Sequence, residues 1–325
     1  MPSPRRLALP LFCLAFALLL AWGCSEIESV DVEKTDTNAV DAGQVSQDGA
    51  GPGPDIWAFG PKVHIRVVAA NLSSGKYQSY DQGHGRRILQ GLKPDIVLIQ
   101  EFNYGAKSVQ AMDEFVGIAF GEQFEWFREP KGTIPNGVIS RWPIIKAGYW
   151  EDTQSPNREF SWARIDIPGP RDLWAISVHL LTAKASTRTK QVTALLNEVE
   201  AMVPVSDFLV IGGDLNTNTP NEGCFDLLDK VVSRAHLPRD QDGNRNTNAD
   251  RTRPYDWLLP DKDLEVFHDS VRLGGSVYPD GLVFDSRVYT PLTDVAPVEA
   301  ADSAASGMQH MAVVRDFEVP GDWVP

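Results

Sequence analysis

Cysteine is scarce in this chain, which has only three among 325 residues. Cys13 and Cys24 lie near the N-terminus, in a segment with the layout of a cleaved leader, so Cys224 has no obvious partner for an internal disulfide. We therefore expect a fold stabilised by its hydrophobic core. We interpret Cys224 as a small buried apolar side chain and not as a nucleophile.

Positive charge is also scarce, because 30 Lys and Arg residues face 44 Asp and Glu residues, for a net charge of −14. Proteins that bind nucleic acid tightly and without sequence preference usually carry a basic surface. The charge argues against such binding. It does not exclude an enzyme that handles one phosphate with a few arginines.

Residues 7–22 are apolar but too few to span a membrane comfortably, and they follow two arginines, which is the layout of a secretory signal. The stretch ends in Leu-Ala-Trp-Gly-Cys, which resembles a bacterial lipobox with Trp22 in place of a small residue. We predict a lipoprotein signal peptide over residues 1–23 and lipidation of Cys24, with a plain secretory leader as the alternative. The lipid would anchor an exported protein to the cell envelope, at the outer membrane or in the periplasm.

Residues 24–60 are acidic, polar and without periodic apolar positions, so we predict a disordered tether. A single domain is predicted over residues 61–320, since 42% of the chain is hydrophobic and can form a core. Strands that alternate with helices predict an α/β sandwich of four layers, in which helices flank two packed mixed β-sheets. The predicted strands are 64–70, 96–99, 137–141, 160–167, 173–179, 209–211, 255–259 and 311–317, and the predicted helices are 86–92, a long one that Ser186 could cap, and 225–232.

The most informative segment is 209–216, in which an apolar run ends in two glycines followed by Asp214 and Asn216. Side chains two positions apart in an extended segment point the same way, so a carboxylate and an amide leave the end of a core strand together. Similar polar residues follow other strands. The full candidate set is Asn71, Glu101, Arg141, His179, Asp214, Asn216 and Asp256, with His310 just before the last strand.

If these strand ends form one rim, their carboxylates and amides would bind a hard divalent cation, and the two histidines could move protons. In this order the motifs resemble the endonuclease/exonuclease/phosphatase superfamily over residues 63–317. The His179-Leu180 element is more similar to the deoxyribonuclease and sphingomyelinase branches than to the abasic-site nuclease branch. The motifs are Asn71, Gln100-Glu101, Ser140-Arg141, Ser177-Val178-His179-Leu180, Gly213-Asp214-Leu215-Asn216, Tyr255-Asp256 and Gln309-His310.

The resemblance implies a metal-dependent hydrolase of phosphoric esters. Glu101 would bind Mg²⁺, with Mn²⁺ or Ca²⁺ as alternatives, and Asn71 would lie beside it. His310 would be the general base, oriented by Asp256, and His179 would protonate or hydrogen-bond the leaving oxygen. Asp214 and Asn216 would position the phosphate and the attacking water, and Arg141 would bind phosphate through its planar fork.

One position departs from the family pattern, because Gln309 stands where an Asp usually precedes the catalytic His. Three functions stay open: an exported nuclease-like enzyme, a phospholipid or sphingomyelin phosphodiesterase, and a non-catalytic phosphate-binding lipoprotein. The expected partners are a phosphoester, in nucleic acid or a lipid head group, and a membrane reached through the lipid anchor; no protein partner is predicted. Arg245, Arg251 and Arg253 are either a solvated loop or a local positive patch that meets a polyanion.

Overall fold

The structure is a computed structural model that describes residues 61–74 and 83–321. The signal peptide, the lipidated Cys24 and the tether predicted over residues 1–60 lie outside the described residues. Within that part of the chain, no helix combines the length and the apolar character needed to cross a membrane.

The described secondary structure contains fourteen strands, five α-helices and two 3₁₀-helices, Leu292–Val295 and Asp302–Ala304. The strands are β1 Lys62–Asn71, β2 Ile96–Gln100, β3 Glu125–Arg128, β4 Gly137–Ser140, β5 Ile144–Trp150, β6 Phe160–Ile165, β7 Leu173–His179, β8 Phe208–Asp214, β9 Asp256–Pro260, β10 His268–Asp269, β11 Val271–Leu273, β12 Ser276–Tyr278, β13 Leu282–Phe284 and β14 Ala312–Pro320. The helices are α1 His84–Leu92, α2 Val109–Phe120, α3 Ala185–Met202, α4 Phe225–Leu228 and α5 Lys262–Glu265.

Two mixed sheets form the centre of the fold. One has the strand order β10-β14-β1-β2-β4-β3, with β13 also paired to β14, and the other has the order β5-β6-β7-β8-β9. Each contains one parallel pair, β1 with β2 and β7 with β8, and its other pairs are antiparallel. The two packed mixed sheets of the sequence prediction are therefore confirmed.

Alternating side chains on each strand explain the four layers. On β1, Val67 and Ala69 belong to the core between the two sheets, whereas Val68 and Ala70 pack with helices α1 and α2 on the outer face. On the second sheet, Val210 faces the inter-sheet core and the apolar side chains of α3 and α4 cover the opposite face. Both faces of each sheet are therefore buried, which accounts for the long apolar runs in the sequence.

Several local predictions need correction. Helix α3 begins at Ala185 with Lys184 at the N-cap and no side-chain cap hydrogen bond, so Ser186 lies in the first turn and is not the cap. The helix predicted over 225–232 is shorter and ends at Leu228. The short strands β3, β5 and β10–β13 were not predicted, because these segments are short or only partly buried and so lack a strong apolar period. Helix α2 was not predicted either, although its buried positions follow helical spacing.

Cys224 is fully buried and forms no disulfide. Burial, with Glu222 nearby, raises the pKa of its thiol to about 11. Because the thiolate is the reactive form, the thiol is inert at neutral pH, as the sequence interpretation expected.

Candidate active site

The strand pairing brings polar residues from both sheets to one rim. The parallel pairs place Asn71 beside Gln100 and His179 beside Asp214, each at the carboxyl end of its strand. Strand β9 runs antiparallel to β8, so its first residue, Asp256, faces Asp214. A hydrogen bond from Asn71 Nδ2 to Asp214 Oδ2, 3.1 Å long, joins the rims of the two sheets.

Asp214 is the centre of this cluster. Its Oδ2 lies 3.1 Å from His179 Nε2 and 3.5 Å from His310 Nε2, and its Oδ1 accepts a hydrogen bond from the Asn216 amide at 2.9 Å. Burial alone would raise the pKa of Asp214, but the two imidazoles outweigh it and lower the pKa to about 2. Asp214 is therefore an anion that holds both histidines in place.

Gly213 allows β8 to approach β7 so closely. Its φ is +131°, and a Cβ atom there would lie 2.2 Å from the carbonyl oxygen of Val178. Only glycine fits both conditions, so the Gly-Asp sequence is a requirement of the site's backbone.

His310 precedes β14 and is paired with Asp256. Its Nδ1 lies 2.9 Å from Asp256 Oδ2, and both side chains are buried. Burial lowers the pKa of His310, but the charges of Asp256 and Asp214 together outweigh burial and raise it to about 9. Burial also raises the pKa of Asp256, to about 6, against the opposing effect of His310.

For the pKa of His179, burial and nearby charge have the opposite net effect from that seen at His310. Burial dominates and lowers the pKa of its imidazole, although Asp214 opposes the change. At pH 7, His310 therefore carries a proton on both nitrogens and His179 is neutral. A role for His310 as base requires that some of the negative charge around it be neutralised.

Glu101 and Asn71, the residues predicted as cation ligands, lie near the cluster. Glu101 follows β2, is half-buried and has a left-handed φ of 54°. Asn71 Oδ1 accepts a hydrogen bond from the Ser73 amide, which fixes the side chain beside Asp214. With Asp214 and Asp256, the pocket holds three carboxylates, so a phosphate anion would be repelled unless a cation entered with it.

A second group of possible ligands lies deeper. One oxygen each from Asp214 and Asp256 and one nitrogen of His310 lie within 4.8 Å of one another, and all three residues are buried. The hydrogen bond between Asp256 and His310 already occupies part of this group. The half-exposed Glu101 is therefore the better position for a cation that must also touch substrate.

Asn216 lies in the cluster as predicted, with a left-handed φ of 51°. Its Nδ2 donates a hydrogen bond of 2.9 Å to the carbonyl oxygen of Leu180, which follows His179. Asn216 thereby ties the turn after β8 to the turn after β7.

The structure contradicts the prediction for Arg141. Strand β4 is antiparallel to β2, so Ser140 pairs with Ile96 at the end of the sheet opposite Glu101. The exposed Arg141 side chain forms an ion pair with Asp95, with its Nη1 3.0 Å from Asp95 Oδ1. The sequence placed Arg141 after a strand, but it could not show that this strand runs in the opposite direction.

Arg158 is the arginine of the site, and the sequence reading missed it. It is buried, and it donates hydrogen bonds from Nε to the His179 carbonyl at 2.5 Å and from Nη2 to the Leu180 carbonyl at 2.7 Å. Burial lowers the pKa of Arg158, and the nearby charges of Asp214 and Glu101 oppose that effect. Arg158 precedes β6, whose amino end lies beside the carboxyl end of β7, so a search of positions before strands would have found it.

Comparison with solved structures shows the same fold at low sequence identity. An endonuclease/exonuclease/phosphatase from Beutenbergia cavernae DSM 12333 superposes with a TM-score of 0.55 at 16% identity, covering 79% of this chain and 72% of that one. A functionally unknown conserved protein from Enterococcus faecalis V583 gives 0.54 at 14% identity, covering 79% and 100%. A family protein from Leptotrichia buccalis C-1013-b gives 0.53 at 14% identity, covering 78% and 99%.

A search among curated proteins found no match to the chain. The model of the Endonuclease/Exonuclease/phosphatase family, in contrast, matches residues 83–283, which is more than half of the sequence. That segment contains Glu101, His179, Asp214 and Asp256, four members of the cluster described above. The chain belongs to the endonuclease/exonuclease/phosphatase family.

Proposed function

We propose that the protein is an exported, divalent-metal-dependent phosphodiesterase of the nuclease type. The observation that carries the proposal is the continuous contact of Asp256, His310, Asp214 and His179, with Glu101 close enough for its charge to act on both histidines. A base, a hydrogen-bond donor and oxygen ligands within one pocket are what hydrolysis of a phosphoric ester needs. The family includes metal-dependent nucleases and phosphatases, which agrees with this chemistry.

The side chains divide the reaction between them. Asp256 accepts the hydrogen bond from His310 Nδ1, so Nε2 is the nitrogen that takes a proton from the attacking water. The oxygen of that water then bonds to phosphorus while the ester bond to the leaving oxygen breaks. The leaving oxygen, stabilised by a hydrogen bond from His179, takes up a proton from solvent, and Asp214 holds both imidazole rings in place.

Glu101 and Asn71 would hold the divalent cation, with Mg²⁺ preferred over Mn²⁺ or Ca²⁺, and it would neutralise charge on the phosphoryl oxygens. Glu101 is one of the groups that raise the pKa of His310. Neutralising its charge therefore favours the basic form of His310. Arg158, whose charged form is favoured by Asp214 and Glu101, adds a fixed positive charge behind His179.

Turnover of bis-p-nitrophenyl phosphate, with and without EDTA, tests the proposal. We expect metal-dependent hydrolysis, which His310→Ala lowers by about 10²- to 10⁴-fold because the base is lost. Glu101→Gln is expected to abolish the metal-dependent hydrolysis, so that its rate with added metal equals its rate in EDTA. Matched controls are His236→Ala and Glu114→Gln, which change the same residue types outside the cluster and should keep the wild-type rate.

The same assay separates the alternatives. A wild-type protein that does not turn over this ester would favour a non-catalytic phosphate-binding lipoprotein, for which Gln309 is the motivating feature. Full activity in both His310→Ala and Glu101→Gln would overturn the roles assigned here. Hydrolysis of sphingomyelin or phospholipid, in preference to DNA or RNA, would favour the lipid phosphodiesterase.

We also propose a lipid anchor on Cys24 that holds the enzyme at a membrane of the cell envelope, where its substrate would be an extracytoplasmic phosphoester. The support is the apolar segment over residues 7–22 and the Leu-Ala-Trp-Gly-Cys sequence. Cys24→Ser is expected to move the protein from the membrane fraction to the soluble fraction. Equal distribution of variant and wild type would refute the anchor.

A further inference from the structure

The loop that precedes β9 is fixed to the backbone beside His310. Asn248 forms a β-bridge with His310, and its Oδ1 accepts hydrogen bonds from the amides of Thr252 and Arg253, both at 2.8 Å. The Met311 amide donates to the Thr247 carbonyl at 2.7 Å. The backbone of Arg253 is therefore held in a defined position relative to the base.

The side chain of Arg253 points to the aromatic ring next to that base. Its Nη1 donates to the hydroxyl of Tyr255 at 3.3 Å, and the Tyr255 ring centroid is 5.9 Å from that of His310. Arg253 is exposed and Tyr255 is half-buried. A guanidinium and a half-buried tyrosine ring thus lie together beside His310.

The arginines of this loop differ in their partners. Arg251 is locked between Asp240 and Asp285, with ion-pair distances of 2.6 and 2.5 Å. Among the described residues, by contrast, no carboxylate lies within ion-pair distance of Arg253. In a chain with a net charge of −14, an unmatched guanidinium beside a phosphoesterase pocket attracts anions.

We propose that Arg253 and Tyr255 form a subsite for the phosphate next to the scissile one in a nucleic acid strand. The inference rests on the proposed phosphodiesterase function and names its substrate class. Arginine binds phosphate through its planar fork, and an aromatic ring stacks on any base, so the pair suits a single strand without sequence preference.

A lipid head group fits this arrangement less well. A phospholipid diester has a single phosphate. Arg253 lies outside the cluster that would bind the scissile phosphate, so a lipid would leave it without a phosphate to bind. The exposed large apolar side chains of the described residues also lie outside loop 239–255 and the segment that carries His310. A lipid-facing surface would need such side chains near the arginine.

Binding of a fluorescein-labelled phosphorothioate oligothymidylate, whose backbone resists hydrolysis, tests the subsite by anisotropy in MgCl₂ between roughly 50 and 200 mM salt. In Arg253→Gln, the slope of log affinity against log salt should fall in magnitude by about 0.7, the value for one phosphate contact in a single strand. Affinity should fall about three- to tenfold, in line with the net loss of one ordinary hydrogen bond, because solvent screens the exposed guanidinium. Arg253→Lys should keep the wild-type slope because it keeps the charge.

Arg141→Gln is the matched control, since it removes one positive charge at the opposite end of the sheet. An Arg253→Gln slope equal to the wild-type slope, or an equal loss in Arg141→Gln, would overturn the subsite. Weaker binding of Arg253→Gln to phosphatidylcholine vesicles, but not to the oligonucleotide, would also overturn it. Bis-p-nitrophenyl phosphate has one phosphate, so its turnover by the wild type reports on the hydrolase proposal separately.

Discussion

Replacement of Asp256 by asparagine removes a charge from the site and keeps an acceptor for His310 Nδ1. The pKa of His310 is raised from 6.5 to about 9, and at 1.36 kcal/mol for each pKa unit this difference is about 3 kcal/mol. Burial opposes that shift, and Asp256 is the strongest of the groups that overcome burial. In Asp256→Asn we therefore expect the pKa of His310 to return to its ordinary value or below.

Proton NMR of the imidazole Cε1–H resonances in the metal-free protein measures this pKa, with His310→Ala to assign the signal. The kcat for bis-p-nitrophenyl phosphate should fall by about 10²-fold in Asp256→Asn, at the low end of the range for general-base catalysis, because a neutral amide stabilises the imidazolium formed in the reaction less well and orients the His310 ring less firmly.

Two results would refute this reasoning. A His310 pKa that stays near 9 in Asp256→Asn would show that the charge of Asp256 does not hold the proton, and would point to Asp214. A shifted pKa with an unchanged kcat would show that the charge of Asp256 does not support His310 in catalysis.

Three further substitutions alter buried contacts and should each lower the stability of the fold. Asp316→Asn leaves the buried guanidinium of Arg66 without its anionic partner, so urea unfolding at pH 7 should show that the free energy of unfolding falls by about 3–5 kcal/mol. Burial raises the pKa of Asp316, but the hydrogen bonds of Arg66 and His64 outweigh burial and lower it. The stabilisation is therefore present above pH 3.8, and the difference in stability between variant and wild type should narrow as the pH falls below that value. Arg158→Lys lacks the planar fork that reaches the His179 and Leu180 carbonyls, so it should lower stability by about 1.5–3 kcal/mol in the same assay and also lower activity. Unchanged stability would contradict the forked contact. Gly213→Ala should cost more than about 3 kcal/mol from strain and overlap, and a variant that melts with the wild type by circular dichroism would argue against the backbone described here.

The strands of the two sheets could be predicted because burial on both faces leaves a mark in the sequence. The apolar runs at 96–99 and 209–211 are buried throughout, and the residues that follow them, Glu101 and Asp214, reach the rim as expected. The hairpin of β6 and β7 was equally visible, since a turn sequence separates two alternating segments. Helix α2 was missed, although Ser108 caps it and its buried residues follow helical spacing.

The site shows where local pattern stops being sufficient. Sequence identified residues at strand ends but not the direction of each strand, so it included Arg141, which lies at the far end, and omitted Arg158, which precedes its strand. The sequence by itself determined which strands are buried and which polar groups their ends carry, because those properties depend on neighbours along the chain. Only the tertiary structure decided that Asp256 and His310, 54 residues apart, form a hydrogen bond. It also decided the pKa of each, because each pKa depends on burial and on charges that the pairing of distant strands brings together.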